Sequence, residues 1–187
     1  MLKRKMYQYL IDWKNLPKDL RKPLIIKGSR QVGKTKIVKV FGEENYQNVV
    51  YLDFRQNISI HQAFNGDFKV DDIILYLSTI DSTFKFVPNE TLIIFDEIQD
   101  CYNARASLKY FFLDGRFDVI ATGSMLGIKG YNRKKENLRG IPVGYELVVQ
   151  MHSLDFEEFL WATGINEDVI EILKKSFRDI KHIPDAF

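Results

Sequence analysis

The chain reads as an α/β protein: a parallel five-stranded sheet enclosed by helices in three layers, with a small helical extension at the C-terminal end. Three observations point there. Five short runs rich in Ile, Val and Leu recur, "PLIIK" (23 to 27), "VVYLDF" (49 to 54), "TLIIFD" (91 to 96), "FDVIAT" (117 to 122) and "YELVVQM" (145 to 151). Near-continuous apolar runs suit strands buried on both faces, the condition of a parallel sheet. Helical spacing fills the segments between them, and after residue 151 the pattern becomes wholly helical.

At 187 residues the chain has room for one domain with a full core, so a single main fold is expected. A net charge of +2 gives no compositional reason to invoke nucleic acid or anionic lipid as a partner. Cys101 has no second cysteine with which to form an internal disulfide or a Cys-based zinc site, which points to a reducing, cytoplasmic setting. His61, His152 and His182 share no ligand spacing. No apolar stretch approaches the roughly 20 residues needed to cross a bilayer, so no membrane association is expected.

Taken in order, residues 1–20 form an N-terminal helix and linker, with Met6, Leu10 and Trp13 on one face and Lys3, Arg4 and Lys5 at the solvated start. Residues 21–151 form the core. Within it "TKIVKVFG" turns Ile37, Val38 and Phe41 to one side and is expected to stop at Gly42 as a C-terminal cap. Val70, Ile73, Ile74, Leu77 and Ile80 give a helix over 70 to 80, and Ala104, Leu108 and Phe111 or Phe112 mark another. In the extension, residues 152–187, Ser153 is expected to cap "LDFEEFLWAT". Asn166 is expected to cap a last helix with Ile170, Leu173, Phe177 and Ile180 inward.

The stretch "KGSRQVGKTK" separates the first strand from the first core helix and fits G-x-x-x-x-G-K-[ST] at Gly28, Gly33, Lys34 and Thr35. Glycines let a backbone curl so that several N–H groups converge on phosphate oxygens at a helix N-terminus, where about half a positive charge resides. Gly28, Ser29, Arg30, Gln31, Val32, Gly33, Lys34, Thr35 and Lys36 are therefore the candidate phosphate-binding residues. Lys34 supplies a mobile cation for the outer phosphates, and the Thr35 hydroxyl is placed to bind Mg²⁺. Arg30 and Gln31 shape the cradle or face a partner.

A matching site is expected on another strand. "LIIFDE" supplies Asp96 to hold the magnesium or one of its waters, and Glu97 to take a proton from an attacking water. The fourth run ends "ATGSMLG", bringing Thr122 and Ser124 to the same sheet edge, where either hydroxyl orients the water or senses the γ-phosphate. Pro23 and the N-terminal helix are the candidates to line a nucleobase pocket. The reaction expected is Mg²⁺-dependent ATP hydrolysis used as a switch, the alternative being a nucleotide-gated binding module with negligible turnover. The paired Asp-Glu argues against a small-molecule kinase, which needs no water-activating base.

These motifs together resemble the AAA+ type of P-loop ATPase. More narrowly, "KGSRQVGKT", "LIIFDEIQD", "IATGSMLG" and "IPVGYELVVQMHSLDFEEFLWA" look like a prokaryotic family of predicted ATPases in which an AAA-type domain precedes a poorly characterised C-terminal module. The resemblance spans about residues 20 to 165. It implies a sheet of order 5-1-4-3-2 with ATP over the first strand's loop, and a further module after residue 187. Relatives often carry an arginine near the start of the fifth strand, where this chain has Tyr145. In the loop 127 to 140 Arg139 is the candidate to reach a neighbouring subunit's γ-phosphate, the alternatives being a nucleic-acid backbone or a solvated connection. A protein partner, a homo-oligomer and nucleic acid are thus the partner classes considered.

Overall fold

The computed structural model describes residues 2–124 and 144–179. Five strands, β1 (Leu24–Gly28), β2 (Asn48–Asp53), β3 (Thr91–Asp96), β4 (Asp118–Ser124) and β5 (Leu147–Gln150), form one sheet of order β2-β3-β4-β1-β5 in which every pair is parallel. This is the order expected above, read from the other edge. Around it lie helices α1 (Lys5–Lys14), α2 (Lys34–Asn45), α3 (Val70–Ile80), α4 (Tyr102–Asp114), α5 (Phe156–Ala162) and α6 (Glu167–Arg178). A 3-10 helix, Ile58–Phe64, precedes α3.

Side chains of a strand alternate between its faces, and here each face meets its own helical layer. Leu24, Ile26, Leu92, Ile94 and Ile120 pack with Leu10 and Trp13 of α1 and with Ile37, Val38 and Phe41 of α2. Ile25, Ile93, Phe95, Val119 and Ala121 turn the other way, onto Ile73 and Leu77 of α3 and Ala104, Leu108 and Phe111 of α4. Between Phe111 and Phe112 it is therefore Phe111 that enters the core. β3 is buried at every position, as befits a strand with neighbours on both sides. Phe54, Phe64, Phe95 and Phe111 join edge to face across the second layer, with centroid separations of 5.4 to 5.8 Å, a preferred aromatic arrangement.

Helix α2 does not stop at Gly42 but runs on to Asn45. A Cβ at Gly42 would stand 3.0 Å from Val49 and 3.1 Å from Leu92, so this glycine permits close approach of helix to sheet and caps nothing. At the far end of the sheet the buried Asp118 receives Lys18, Arg21 at 2.9 Å and the Tyr46 hydroxyl at 2.8 Å. That cluster ties the linker after α1 and the end of α2 to the start of β4.

In the extension the cap of α5 is Asp155 rather than Ser153. Its carboxylate accepts the Glu158 N–H at 2.9 Å while Glu158 reaches back to the Asp155 N–H, a closed capping box. Asn166 caps α6 through the Asp168 N–H. Ile170 is buried and Leu173 half-buried, but Phe177 is 88% exposed, and Ile180 lies outside the described residues. Replacing Asp155 with Ala removes the cap and is expected to lower stability by about 1 kcal/mol, read as a shifted midpoint in chemical denaturation.

Candidate functional site

Parallel register brings the C-terminal ends of the strands to one edge. Gly28 of β1 lies beside Ser124 of β4, and Asp53 of β2 beside Asp96 of β3. The loop from Gly28 to Gly33 crosses this edge and enters α2. Gly28 is required there because Met151, just after β5, donates its N–H to the Lys27 carbonyl at 2.8 Å. A Cβ on Gly28 would stand 2.3 Å from the Met151 carbonyl oxygen. At the other end of the loop Gly33 caps α2 with φ +94°, and Gln31 also adopts the left-handed region at φ 65°. The first helical bond is Ile37 N–H to the Gly33 carbonyl, so the amides of Lys34, Thr35 and Lys36 end the helix without intrahelical acceptors. An N-terminus of this kind favours an anion.

Lys34 is buried, and its ammonium donates to the carbonyls of Gly28 and Ser29 at 3.1 and 2.8 Å. Burial pushes its pKa down, against the opposing pull of Glu97 and Asp96. A cation so placed gains from any anion that enters the loop, because the anion restores the stabilisation lost with water.

Asp96 is 4% exposed, and three hydroxyls surround its carboxylate. Thr35 Oγ1 lies 3.0 Å from both oxygens, Tyr51 donates to Oδ2 at 2.6 Å, and Thr122 donates to Oδ1. The Tyr51 phenol is held well above its ordinary pKa, first by burial and then by this bond to Asp96. Glu97, the next residue, has left-handed backbone at φ 53°. Its carboxylate is ion-paired with Arg55 at 2.9 Å and accepts Gln99 Nε2. Arg55 in turn donates Nε to Asp100 at 2.8 Å. Ser124 ends β4 opposite Gly28, on the strand that also carries Thr122.

Outside the loop lies a cavity of about 480 Å³, within the range of small-molecule sites. Leu2, Val32, Ile37, Met151 and Leu154 give it apolar walls, and Arg4 and Arg30 also line it. Arg4 bridges three segments there: it donates to the Val32 carbonyl at 3.0 Å and the His152 carbonyl at 2.6 Å, and its Nε stands 3.2 Å from the Glu158 carboxylate. Pro23 lies at the opposite end of β1 and is not among the lining residues, whereas Leu2 and Arg4, just before α1, are.

Residues 20–160 match the sequence model of a family described as an AAA domain. The chain belongs to that family. AAA domains are P-loop ATPases, and the loop and carboxylates described above occupy the matched span. Among solved structures this AAA domain is similar to a crystal structure of a DNA replication initiation factor, at 17% identity over 97% of this chain and 52% of that one, with a TM-score of 0.46. It is similar also to AMPPCP-bound DnaA from Aquifex aeolicus, at 17% identity over 98% of this chain and 53% of that one, with a TM-score of 0.46. The chain therefore spans about half the length of those structures. No curated protein matches it in sequence.

Of the residues singled out from sequence, the AAA domain brings Thr35, Asp96 and Thr122 into direct contact, with Lys34 inside the loop. Ser29, Arg30, Gln31 and Lys36 are exposed on its outer side and Val32 is half-buried. Arg139 lies outside the described residues. The donor set suits a hard divalent cation such as Mg²⁺: a hydroxyl and a carboxylate 3.0 Å apart, both oxygen donors of the kind such ions take. Among the described residues no group of three or more His, Cys, Asp or Glu side chains forms an all-protein metal site. No helix among them is long and apolar enough to cross a membrane.

Three participants escaped the sequence reading: Tyr51, Arg55 and Arg4. Tyr51 had a usable signal, since it stands two residues before Asp53 on the same strand face, and Asp53 pairs with Asp96. Gly28→Ala is expected to displace the β5 edge, lowering stability by about 1–3 kcal/mol as other overpacked sites do and removing anion binding by the loop. Thermal unfolding with and without inorganic tripolyphosphate measures both effects.

Proposed function

We propose that this AAA domain binds MgATP and hydrolyses it, using the change in the phosphates as a conformational switch. The observation that carries the reading is the meeting of Thr35 with Asp96 at 3.0 Å, which sets the phosphate loop against the acidic strand end across a single sheet edge. The β and γ phosphates accept the amides at the start of α2, and the Lys34 ammonium transfers to them from the Gly28 and Ser29 carbonyls. Thr35 and Asp96 would hold Mg²⁺, which when bound would shield the phosphate charge. Glu97 takes the proton of the attacking water, with the hydroxyls of Thr122 and Ser124 at the same edge as candidates to orient that water. The nucleoside end fits the apolar cavity beside Arg4.

Arg4 also gives the switch a physical route. One guanidinium contacts the phosphate loop at Val32, the segment after β5 at His152 and helix α5 at Glu158, so a shift of the loop displaces the C-terminal helices directly. A two-state element biased by ligand contacts needs no more than such a joint. A further module after residue 187, a protein partner or a second copy of the chain would read the movement.

One observation favours the second reading, a nucleotide-gated binding module with negligible turnover. Arg55 and Gln99 both hold Oε2 of Glu97, which commits that oxygen to partners other than a water. Release of Glu97 from Arg55 would make both of its oxygens available for hydrolysis.

MgATP at a thousandfold excess over its Kd should add about 4 kcal/mol of apparent stability to wild type, and far less to Lys34→Ala, in a thermal-shift titration. In single-turnover assays Glu97→Gln is expected to slow hydrolysis by roughly 10²- to 10⁴-fold, the usual contribution of a general base, while leaving nucleotide binding intact. Equal inertness of wild type and Glu97→Gln selects the binding-module reading. Arg55→Ala should raise basal phosphate release, since it frees the Glu97 carboxylate; an unchanged or lower rate would show the ion pair to be no restraint.

A further inference from the structure

Asp96 is unusual among the buried carboxylates of this protein in what satisfies it. Asp118 is met by a guanidinium, an ammonium and a phenol, and Glu158 lies beside Arg4. Around Asp96 the hydrogen-bond donors among the described residues are hydroxyls, from Thr35, Tyr51 and Thr122. A buried carboxylate served by hydroxyls has no cationic side chain bonded to it that an incoming metal ion must displace. The three donors come from three elements: α2, β2 and β4.

They are not equivalent. Thr35 must turn its hydroxyl proton away from Asp96 if its oxygen is to face a metal. Two donors then remain, one on each carboxylate oxygen: Thr122 on Oδ1 and Tyr51 on Oδ2. Together they fix the plane of the carboxylate, where either alone would leave it free to rotate. Tyr51 is itself constrained. Its position on β2 is set by the parallel pairing with β3, in which Tyr51 lies beside Ile94 and Asp53 beside Asp96. Its ring is covered by the Lys39 ammonium, 3.4 Å from the centroid, and Lys39 stands one helical turn beyond Thr35 on α2.

We propose that Tyr51 is a positioning residue for the divalent cation: it acts through Asp96, locking the carboxylate orientation in which the cation is held, and touches neither nucleotide nor metal. The inference rests on the MgATP reading of the same edge. Partners that orient metal ligands typically contribute 10- to 100-fold to metal affinity, and the Tyr51 hydroxyl belongs to that class.

The test uses Mn²⁺ as a spectroscopic stand-in for Mg²⁺, titrated into the full chain with a non-hydrolysable ATP analogue and followed by electron paramagnetic resonance. Tyr51→Phe keeps the ring and removes only the hydroxyl. It is expected to weaken nucleotide-dependent Mn²⁺ binding by roughly tenfold, with nucleotide affinity in the absence of metal unchanged. Tyr46→Phe is the control, because it removes a phenol hydroxyl from the buried Asp118 at the opposite end of the sheet. It should alter stability without moving the Mn²⁺ titration. Equal Mn²⁺ affinity in Tyr51→Phe and wild type overturns the role of Tyr51 while leaving the nucleotide reading intact. Equal weakening in Tyr46→Phe also overturns it, by showing a general loss of fold. Failure of wild type to bind Mn²⁺ with nucleotide overturns both.

Discussion

A buried carboxylate at the end of a central strand governs how this molecule is put together. Asp96 sits where β3 leaves the sheet, and taking its charge out of water is unfavourable unless dipoles replace the lost hydration. The replacement comes from three hydroxyls on three elements, so the end of β2, the end of β4 and the first turn of α2 must all converge on one point. That convergence sets the geometry of the loop, because Thr35 cannot reach Asp96 unless the chain turns sharply between Gly28 and Gly33. The turn in turn requires the left-handed backbone at Gln31 and Gly33 and the absence of a side chain at Gly28. Electrostatics at one atom pair thus dictates backbone conformation along a whole loop.

The same edge stores an imbalance. Lys34 is buried on carbonyl oxygens, and Glu97 is turned outward on left-handed backbone to meet Arg55. Lys34 is met by neutral carbonyls, and Glu97 by a guanidinium whose side chain is 44% exposed. Such arrangements are typical of sites that wait for a ligand, since strain and imperfect solvation at rest make the bound state comparatively easy to reach.

Much of this was legible in the order of residues, for reasons that differ by element. Strands flanked on both sides need apolar side chains on both faces, so "LIIFD" and "LIIK" announce themselves, and parallel order follows where a helix separates consecutive strands, as α2, α3 and α4 do. Short hydroxyl and carboxylate motifs were legible because their chemistry demands fixed spacing. Gly42 was misread because a glycine near a helix end is ambiguous: only the three-dimensional approach of Val49 and Leu92 separates a packing position from a cap. Phe177 was placed inward because helical periodicity records what is apolar, not what another surface covers. Ser153 and Asp155 are both competent caps, and the choice fell to the residue whose third successor is Glu158. Tyr51 hid in plain view, since an aromatic residue in a strand fits ordinary β preference. Its hydroxyl gains meaning only from a neighbour 45 positions away.

Gly42 has a mechanical side as well. By letting α2 settle closer to Val49 and Leu92 than a Cβ would allow, it seats that helix firmly against the sheet. The loop from Gly28 to Gly33 is thereby anchored at its downstream end to a helix packed closely on the sheet. In the switch proposed above, a displacement of the loop would reach the C-terminal helices through Arg4, the lever arm fastened to the loop on one side and to those helices on the other.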